Sequence, residues 1–316
     1  MSRFTIYFAT DIHGSETCFR KFLNAGAFYK VDAVILGGDV AGKALIPVVR
    51  GADGTWDARF FGQSIHMESE EALDGFEHRI RLQGFYPYRT TPDEAEEIAE
   101  HGEALDHAFE TVIGQSVERW IAEADERLRK AGIPCLIMPG NDDPPIVKEY
   151  LDQATWMVQA EGRVVELGPY QVLSLGYSTP TPWDSPREIT EEEMRAKLAE
   201  LIPRLEPGKP TIFNLHNPPH DTETDRAYKL RPDMRIETAG GEPVLAPVGS
   251  KAVRESIEQA QPLLSIHGHI HESRAMAKIG RTAICNPGST YTEGTLQGVI
   301  LSLDKDKVKG HRFVAG

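Results

Sequence analysis

Seven residues spread along the chain carry side chains suited to metal ions. They are Asp11 and His13 in an Asp-Ile-His triplet, Asp39 after Gly37-Gly38, Asn141 after Gly140, His216, and His269 and His271 in Gly268-His269-Ile270-His271. The set holds four imidazoles, two carboxylates and one amide, with no thiolate. Imidazole suits Zn, Fe, Ni, Co and Mn, while carboxylate and amide oxygens favour harder ions. The mixture therefore points to Mn or Fe first, with Zn, Ni or Co compatible and Mg or Ca disfavoured. A carboxylate has two oxygens and can bridge two cations. Two ions about 3.5–4 Å apart can generate a hydroxide at neutral pH and neutralise the oxygens of a phosphoryl displacement. Asp-x-His or Gly-Asp alone arises constantly by chance; the ordered set does not.

Each of these residues stands where a run of strand-like residues gives out. Arg3 to Ala9 alternates, Ser15 to Tyr29 has helical spacing at Phe19, Phe22, Leu23 and Ala27, and Val31 to Leu36 is β-branched and short. This start predicts a βαβ unit with parallel strands. Further strands are expected at Ile133 to Met138 before Asn141, at Arg163 to Leu167 and Gln171 to Gly176, at Pro210 to Leu215 before His216, and at Leu263 to Ile266 before His269. Short strands with glycine turns close the chain. Helices are expected at Thr190 to Leu201 and Ser250 to Gln261, and Asn217 to Pro247 reads as a long loop. Ends of neighbouring strands converge on one edge of a sheet, so ligands distant in sequence can meet there. The expected fold class is α/β: a four-layer α/β/β/α sandwich of two mixed sheets flanked by helices, in one domain over residues 1–316.

Residues 43–114 interrupt this pattern and read as a mainly helical, cap-like insertion. Within it, Thr55 to Met67 looks like hairpin material, and Phe85-Tyr86-Pro87-Tyr88 like an aromatic loop. Thr91, Pro92 and the acids that follow start a helix whose apolar stripe (Ile98, Leu105, Phe109, Val112, Val117, Trp120, Ile121, Leu128) predicts one rod to Lys130, with Gly102 and Gly114 as kinks. The stripe is expected to be core, with a homo-oligomer seam as the second option.

The order of the short patterns resembles the calcineurin-like metallophosphoesterases, over most of the chain outside the insertion. That family carries Asp-x-His, Gly-Asp, Gly-Asn-His-Asp/Glu, a lone His and Gly-His-x-His; Asn286-Pro287-Gly288-Ser289 also looks like a turn found in many prokaryotic members. The resemblance implies one metal on Asp11, His13, Asp39 and His271, and a second on Asp39, Asn141, His216 and His269, with Asp39 bridging. It implies hydrolysis of a phosphate ester by a metal-activated hydroxide, a diester or nucleotide-like small molecule before a monoester. The chain departs from the family at Asp142, where the pattern has a histidine that assists the leaving group. A carboxylate at its usual pKa is a poor proton donor at neutral pH. Three answers stay open: a protonated Asp142, another donor such as His220 or a histidine of the insertion (His66, His78, His101, His107), or a leaving group that needs no acid. Asp39, Asn141, Asp142 and His220 are thus the candidates for direct catalytic roles. The rival class is a non-catalytic or weakly catalytic interaction scaffold on the same fold.

Composition narrows the rest. The net charge is −14, and Ser64 to Glu126 holds 17 acidic against 4 basic residues, so the remainder is nearly neutral. A nucleic-acid binder would carry a basic face, and none is visible. No apolar run is long enough to span a membrane. The N-terminus enters a strand without a signal-like pattern, and Cys18, Cys135 and Cys285 are dispersed, so the cytoplasm is the expected location.

Overall fold

The computed structural model describes residues 3–316. It is a mixed α/β fold with two six-stranded mixed sheets. In the first, strands Phe4–Ala9, Ala33–Leu36, Cys135–Ile137 and Met157–Gln159 run parallel, and Gln297–Asp304 and Lys307–Ala315 add antiparallel on the other side of Phe4–Ala9. In the second, Tyr170–Leu175, Thr211–Leu215, Leu264–Ile266 and Thr282–Asn286 are parallel, edged by antiparallel Arg163–Leu167 and Ala275–Ile279. Ala9 pairs with Leu36 and Leu36 with Ile137, so the loops carrying Asp11, Asp39 and Asn141 leave the first sheet at one level.

Strand alternation decides what each face meets. Ile6, Phe8, Ile35 and Leu136 of the first sheet pack with Tyr170, Val172, Ile212, Ile266 and Cys285 of the second in one buried cluster. Tyr7, Ala9, Val34, Leu36 and Ile137 point the other way, onto helices Glu16–Tyr29 and Gly102–Ala131. Leu173, Leu175, Phe213, Leu215 and Ile284 likewise turn outward onto helices Glu191–Leu201 and Lys251–Ala260. The local signals agree with these elements. Ser15 caps the first helix by accepting from the Cys18 N–H, and Thr190 with Glu193 forms a reciprocal capping box.

Residues 43–114 contain helices Glu70–Leu82 and Pro92–Glu100 and also a four-stranded sheet of Ala44–Arg50, Trp56–Phe60, Gln63–Met67 and Phe85–Thr90, with a core of Val48, Trp56, Met67, Leu73, Phe76 and Ile80. Phe85-Tyr86-Pro87-Tyr88 is a strand, not a loop, because it pairs in parallel with Ala44–Val49. The single long helix is also two. Pro92–Glu100 ends at an extended His101, and Gly102–Ala131 begins anew. The second helix runs through Gly114 without interruption. A Cβ there would come within 2.5 Å of the Tyr150 ring, so its role is to let helix Pro145–Leu151 approach. From Phe109 to Leu128 the apolar stripe of this helix faces the chain's own core, where Trp120 stacks on Phe19 with centroids 4.2 Å apart, whereas Leu105, expected in the core, is exposed. The long loop after His216 folds back as two short strand pairs, Arg226–Tyr228 with Leu245–Pro247 and Thr238–Ala239 with Glu242–Pro243. Among the described residues no helix is long and apolar enough to cross a membrane.

Candidate metal centre

All seven candidate ligands meet near the strand ends. Asp11, His13, Asp39, Asn141 and His216 are buried, while His269 and His271 are partly open to solvent. Ligand atoms of Asp11, His13 and His271 lie within 4.8 Å of one another, as do those of Asp39, His216 and His269. The two groups touch. His13 Nε2 is 3.1 Å from His271 Nε2 and 3.6 Å from Asp39 Oδ2, and His216 Nε2 is 3.4 Å from Asp39 Oδ2 and 3.8 Å from Asp11 Oδ1. Asn141 Oδ1 faces His216 Nε2 at 3.0 Å and His269 Nδ1 at 2.7 Å.

The backbone is bent to allow this. Asp11, His13, Asp39 and His269 all take positive φ, which costs a non-glycine residue free energy and survives only where surrounding structure imposes it. The restraints are visible. The His269 N–H donates to the Asp11 carboxylate at 3.1 Å, the Asp142 N–H to Asp39 Oδ1 at 3.0 Å, and the Ser289 hydroxyl to the Asp11 carbonyl at 2.6 Å. Asn286 donates its amide to the Gly268 and Ile270 carbonyls, which fixes the last histidine loop. Buried Asp143 accepts three backbone N–H groups, from Val40, Ala41 and Gly140, and so ties the Asp39 loop to the Asn141 loop.

The donor set fits cations. His216 Nδ1 lies 2.9 Å from the Gly37 carbonyl, an acceptor only, so Nδ1 carries the proton and Nε2 is left to face the pocket. In a neutral imidazole that Nε2 would set a lone pair against the Asn141 oxygen and two carboxylates, so positive charge belongs there, as a proton on Nε2 or as a bound cation. Where no ion is bound, the electrostatics favour the proton. Burial opposes it, yet Asp39 and Asp11 push His216 up to about 10. Burial, and then the His216 charge, push His269 down to about 3. Burial likewise opposes ionisation of Asp11, yet His216 and His271 hold its carboxyl well below the usual carboxylate range.

Asp142 sits at the open side. Its carboxylate pairs with the Lys43 ammonium, accepts from the Ser185 hydroxyl at 2.5 Å and from the Asn141 amide at 2.7 Å, and lies 3.8 Å from His13 Nδ1. Burial would raise its pKa, but Lys43 holds it down, so a protonated Asp142 is not what this structure supports. His220 stands apart. Its ring lies 3.8 Å from Asp225, and among the described residues no hydrogen bond or ion pair joins it to the seven ligands. In the insertion His66 is bound to Asp57 at 2.8 Å on an exposed hairpin. His267 is buried with Nδ1 2.8 Å from the Leu215 carbonyl, a core position. Sequence inspection missed Lys43, Ser185, Asp143 and Tyr291, whose ring centroid is 4.6 Å from that of His13. The only sequence signal for them was adjacency: Lys43 follows the Asp39 loop, and Asp143 follows Asn141-Asp142.

No family model matches the chain. An uncharacterized protein of Methanocaldococcus jannaschii is 32% identical over 155 residues, which is 48% of this chain and 62% of that protein, less than two thirds of its length. One solved structure superposes with a TM-score of 0.57 at 16% identity, covering 98% of both chains. A Thermus thermophilus protein does so with a TM-score of 0.52 at 13% identity, covering 100% of this chain and 99% of that one. These two show a shared fold. A structure described as a novel archaeal phosphodiesterase is also similar, at 13% identity, 99% coverage of both chains and a TM-score of 0.36, too distant to bear on activity here. Fold and side chains together define a mixed α/β protein with adjoining candidate metal-binding groups.

Proposed function

We propose that the protein is a binuclear metal-dependent phosphoesterase of the calcineurin-like type, and that its layered sheets and helices are the four-layer sandwich of that class. The observation that carries this is the pair of adjoining Asp/His groups with Asp39 facing both His13 and His216. Asp11, His13, Asp39 and His271 would hold one divalent ion and Asp39, Asn141, His216 and His269 the other, Mn or Fe by donor type. Such ions supply positive charge for phosphate oxygens and acidify water near neutral pH.

The chain's own contribution is positional. The Gly37 carbonyl fixes the His216 tautomer, and the Asp142 and His269 N–H groups aim the carboxylates of Asp39 and Asp11. The carboxylates of Asp11 and Asp39 are buried, and solvent reaches the site at His269, His271 and Asp142. The substrate is a small phosphodiester. A diester presents one negative charge to a mouth already lined by Asp142, where a monoester presents two.

The test is hydrolysis of bis-nitrophenyl phosphate and nitrophenyl phosphate by metal-stripped protein reloaded with Mn. Diester turnover should require the metal and fall about a hundredfold or more in Asp39→Asn. Equal turnover in stripped and reloaded protein would refute the assignment.

A further inference from the structure

Building on the metal-centre assignment, we propose that Lys43 forms an oxyanion subsite at the mouth of the pocket. Its ammonium takes a non-bridging oxygen of the substrate's phosphate, and Asp142 and Ser185 position it. The group stands at the site, not near it: Lys43 pairs with the Asp142 carboxylate, which itself reaches to 3.8 Å from His13 Nδ1. Asp142 is gripped from its other side by the Ser185 hydroxyl and the Asn141 amide, so the carboxylate is a fixed anchor.

The backbone that delivers Lys43 is equally fixed. The Val40 and Ala41 N–H groups donate to Asp143, and the Gly42 N–H donates to the Tyr86 hydroxyl at 2.8 Å. Gly14, Gly42 and Gly84 nest so closely that a Cβ on Gly42 would run into the Gly84 carbonyl oxygen, and one on Gly14 into the Gly42 backbone. The inserted segment therefore leaves and returns against the loop of the first two ligands, and Lys43 is the residue it presents there.

An ammonium has three N–H donors, and one ion pair with Asp142 leaves others to bind an anion. About half of the Lys43 side chain is open to solvent (49%), against 15% for Asp142, so a ligand can reach it. Burial opposes the charge, but Asp142 and Asp39 keep the amine protonated. The cation also neutralises Asp142 where it stands, at the mouth. Asp142 adds a carboxylate beside Asp11 and Asp39 at a place an anionic substrate must approach.

The plainer alternative is that Lys43 only neutralises Asp142 and never touches substrate. A double substitution separates the two. Inorganic phosphate is titrated calorimetrically into Mn-loaded wild type, Lys43→Met, and Lys43→Met/Asp142→Asn, with Mn stoichiometry measured on each. A direct contact predicts unchanged Mn stoichiometry, phosphate affinity weaker by roughly ten- to hundredfold in Lys43→Met, and no recovery in the double variant. Recovery of phosphate affinity in the double variant overturns the proposal, because neutralising Asp142 would then suffice. Wild-type affinity in Lys43→Met overturns it as well. The double variant also leaves no unpaired carboxylate, which guards against a folding defect in the single one. Failure of the underlying assignment looks different: wild type itself would take up no Mn.

Discussion

Asp143 is the residue whose removal most sharply tests the physical account of this site. It touches no candidate ligand side chain, yet its carboxylate accepts the N–H groups of Val40 at 2.9 Å, Ala41 at 2.6 Å and Gly140 at 2.7 Å, and it is fully buried. Asp143→Ala strands all three. A buried N–H without an acceptor costs about 1–3 kcal/mol, so the gross loss is about 3–9 kcal/mol. An offset exists. Burial, and then Asp39, push the Asp143 carboxyl up to about 7, which corresponds to about 4 kcal/mol against the ionised form, a penalty that alanine removes. The middle of the first range exceeds the offset, and the expected net loss is about 2 kcal/mol. Urea unfolding of metal-free wild type and variant measures it directly. Because the same bonds hold the loops of Asp39 and Asn141 in register, Mn affinity should also fall about tenfold or more, as it does when groups supporting metal ligands are removed. A variant that is as stable as wild type and binds Mn normally would show that carboxylate burial, not the N–H cradle, dominates, and would refute the reasoning.

Two further outcomes follow from other parts of the molecule. Chelation should lower the unfolding temperature and Mn should restore it, because an ion that binds only the folded chain stabilises it by about 4 kcal/mol at a thousand times its dissociation constant; a thermal scan indifferent to Mn would count against the centre. Asp125 pins the helix Gly102–Ala131 to the strand Met157–Gln159 by accepting the N–H groups of Thr155 at 2.7 Å, Trp156 at 2.9 Å and Met157 at 3.1 Å. Burial works against this carboxylate, but its hydrogen bonds to Thr155 and its neighbours hold its pKa below the usual value of 3.8. A depressed carboxyl stabilises the fold fully above its unfolded pKa and loses that contribution as pH falls through the folded one. Asp125→Ala should therefore cost about 1–3 kcal/mol near pH 7, with the gap to wild type closing below about pH 4; a gap constant down to pH 2 would sink the assignment.

The main fold was legible because its signals are local and agree with one another. A β-branched run such as Val34-Ile35-Leu36 has little choice but to be a buried strand, and Ser15 or Thr190 before an apolar-periodic stretch marks a helix start. The insertion was read less well for an equally physical reason. Phe85-Tyr86-Pro87-Tyr88 is a strand only because Ala44–Val49 lies beside it, and that pairing spans a helix and two other strands. Pro87 discourages a strand reading on local grounds. The apolar stripe continued across His101 and hid the break there, since periodicity records which face is buried and not whether the rod is continuous. Gly114 was misjudged because the reason for it, the Tyr150 ring, belongs to another helix.

For the site, side chains selected for chemistry were easier to find than those that set its charge. Each candidate ligand stands within five residues of the end of a strand, so strand ends gave its place. Asp142 was legible as a departure but not as half of a pair, because its partner lies on a different loop. Electrostatics supplied the missing constraint. Asp142 stands at the mouth outside the candidate ligand set, so its charge calls for a local partner. Of the basic residues on loops leaving the pocket, Lys43, four positions after Asp39, is the one that pairs with Asp142. A charge balance taken over the loops, rather than over a window of sequence, leaves Lys43 and Arg274 as candidates, and only the folded contact with Asp142 chooses between them. The same balance explains why Lys43→Met alone and Lys43→Met with Asp142→Asn are different experiments: the first changes both the subsite and the local charge, the second only the subsite.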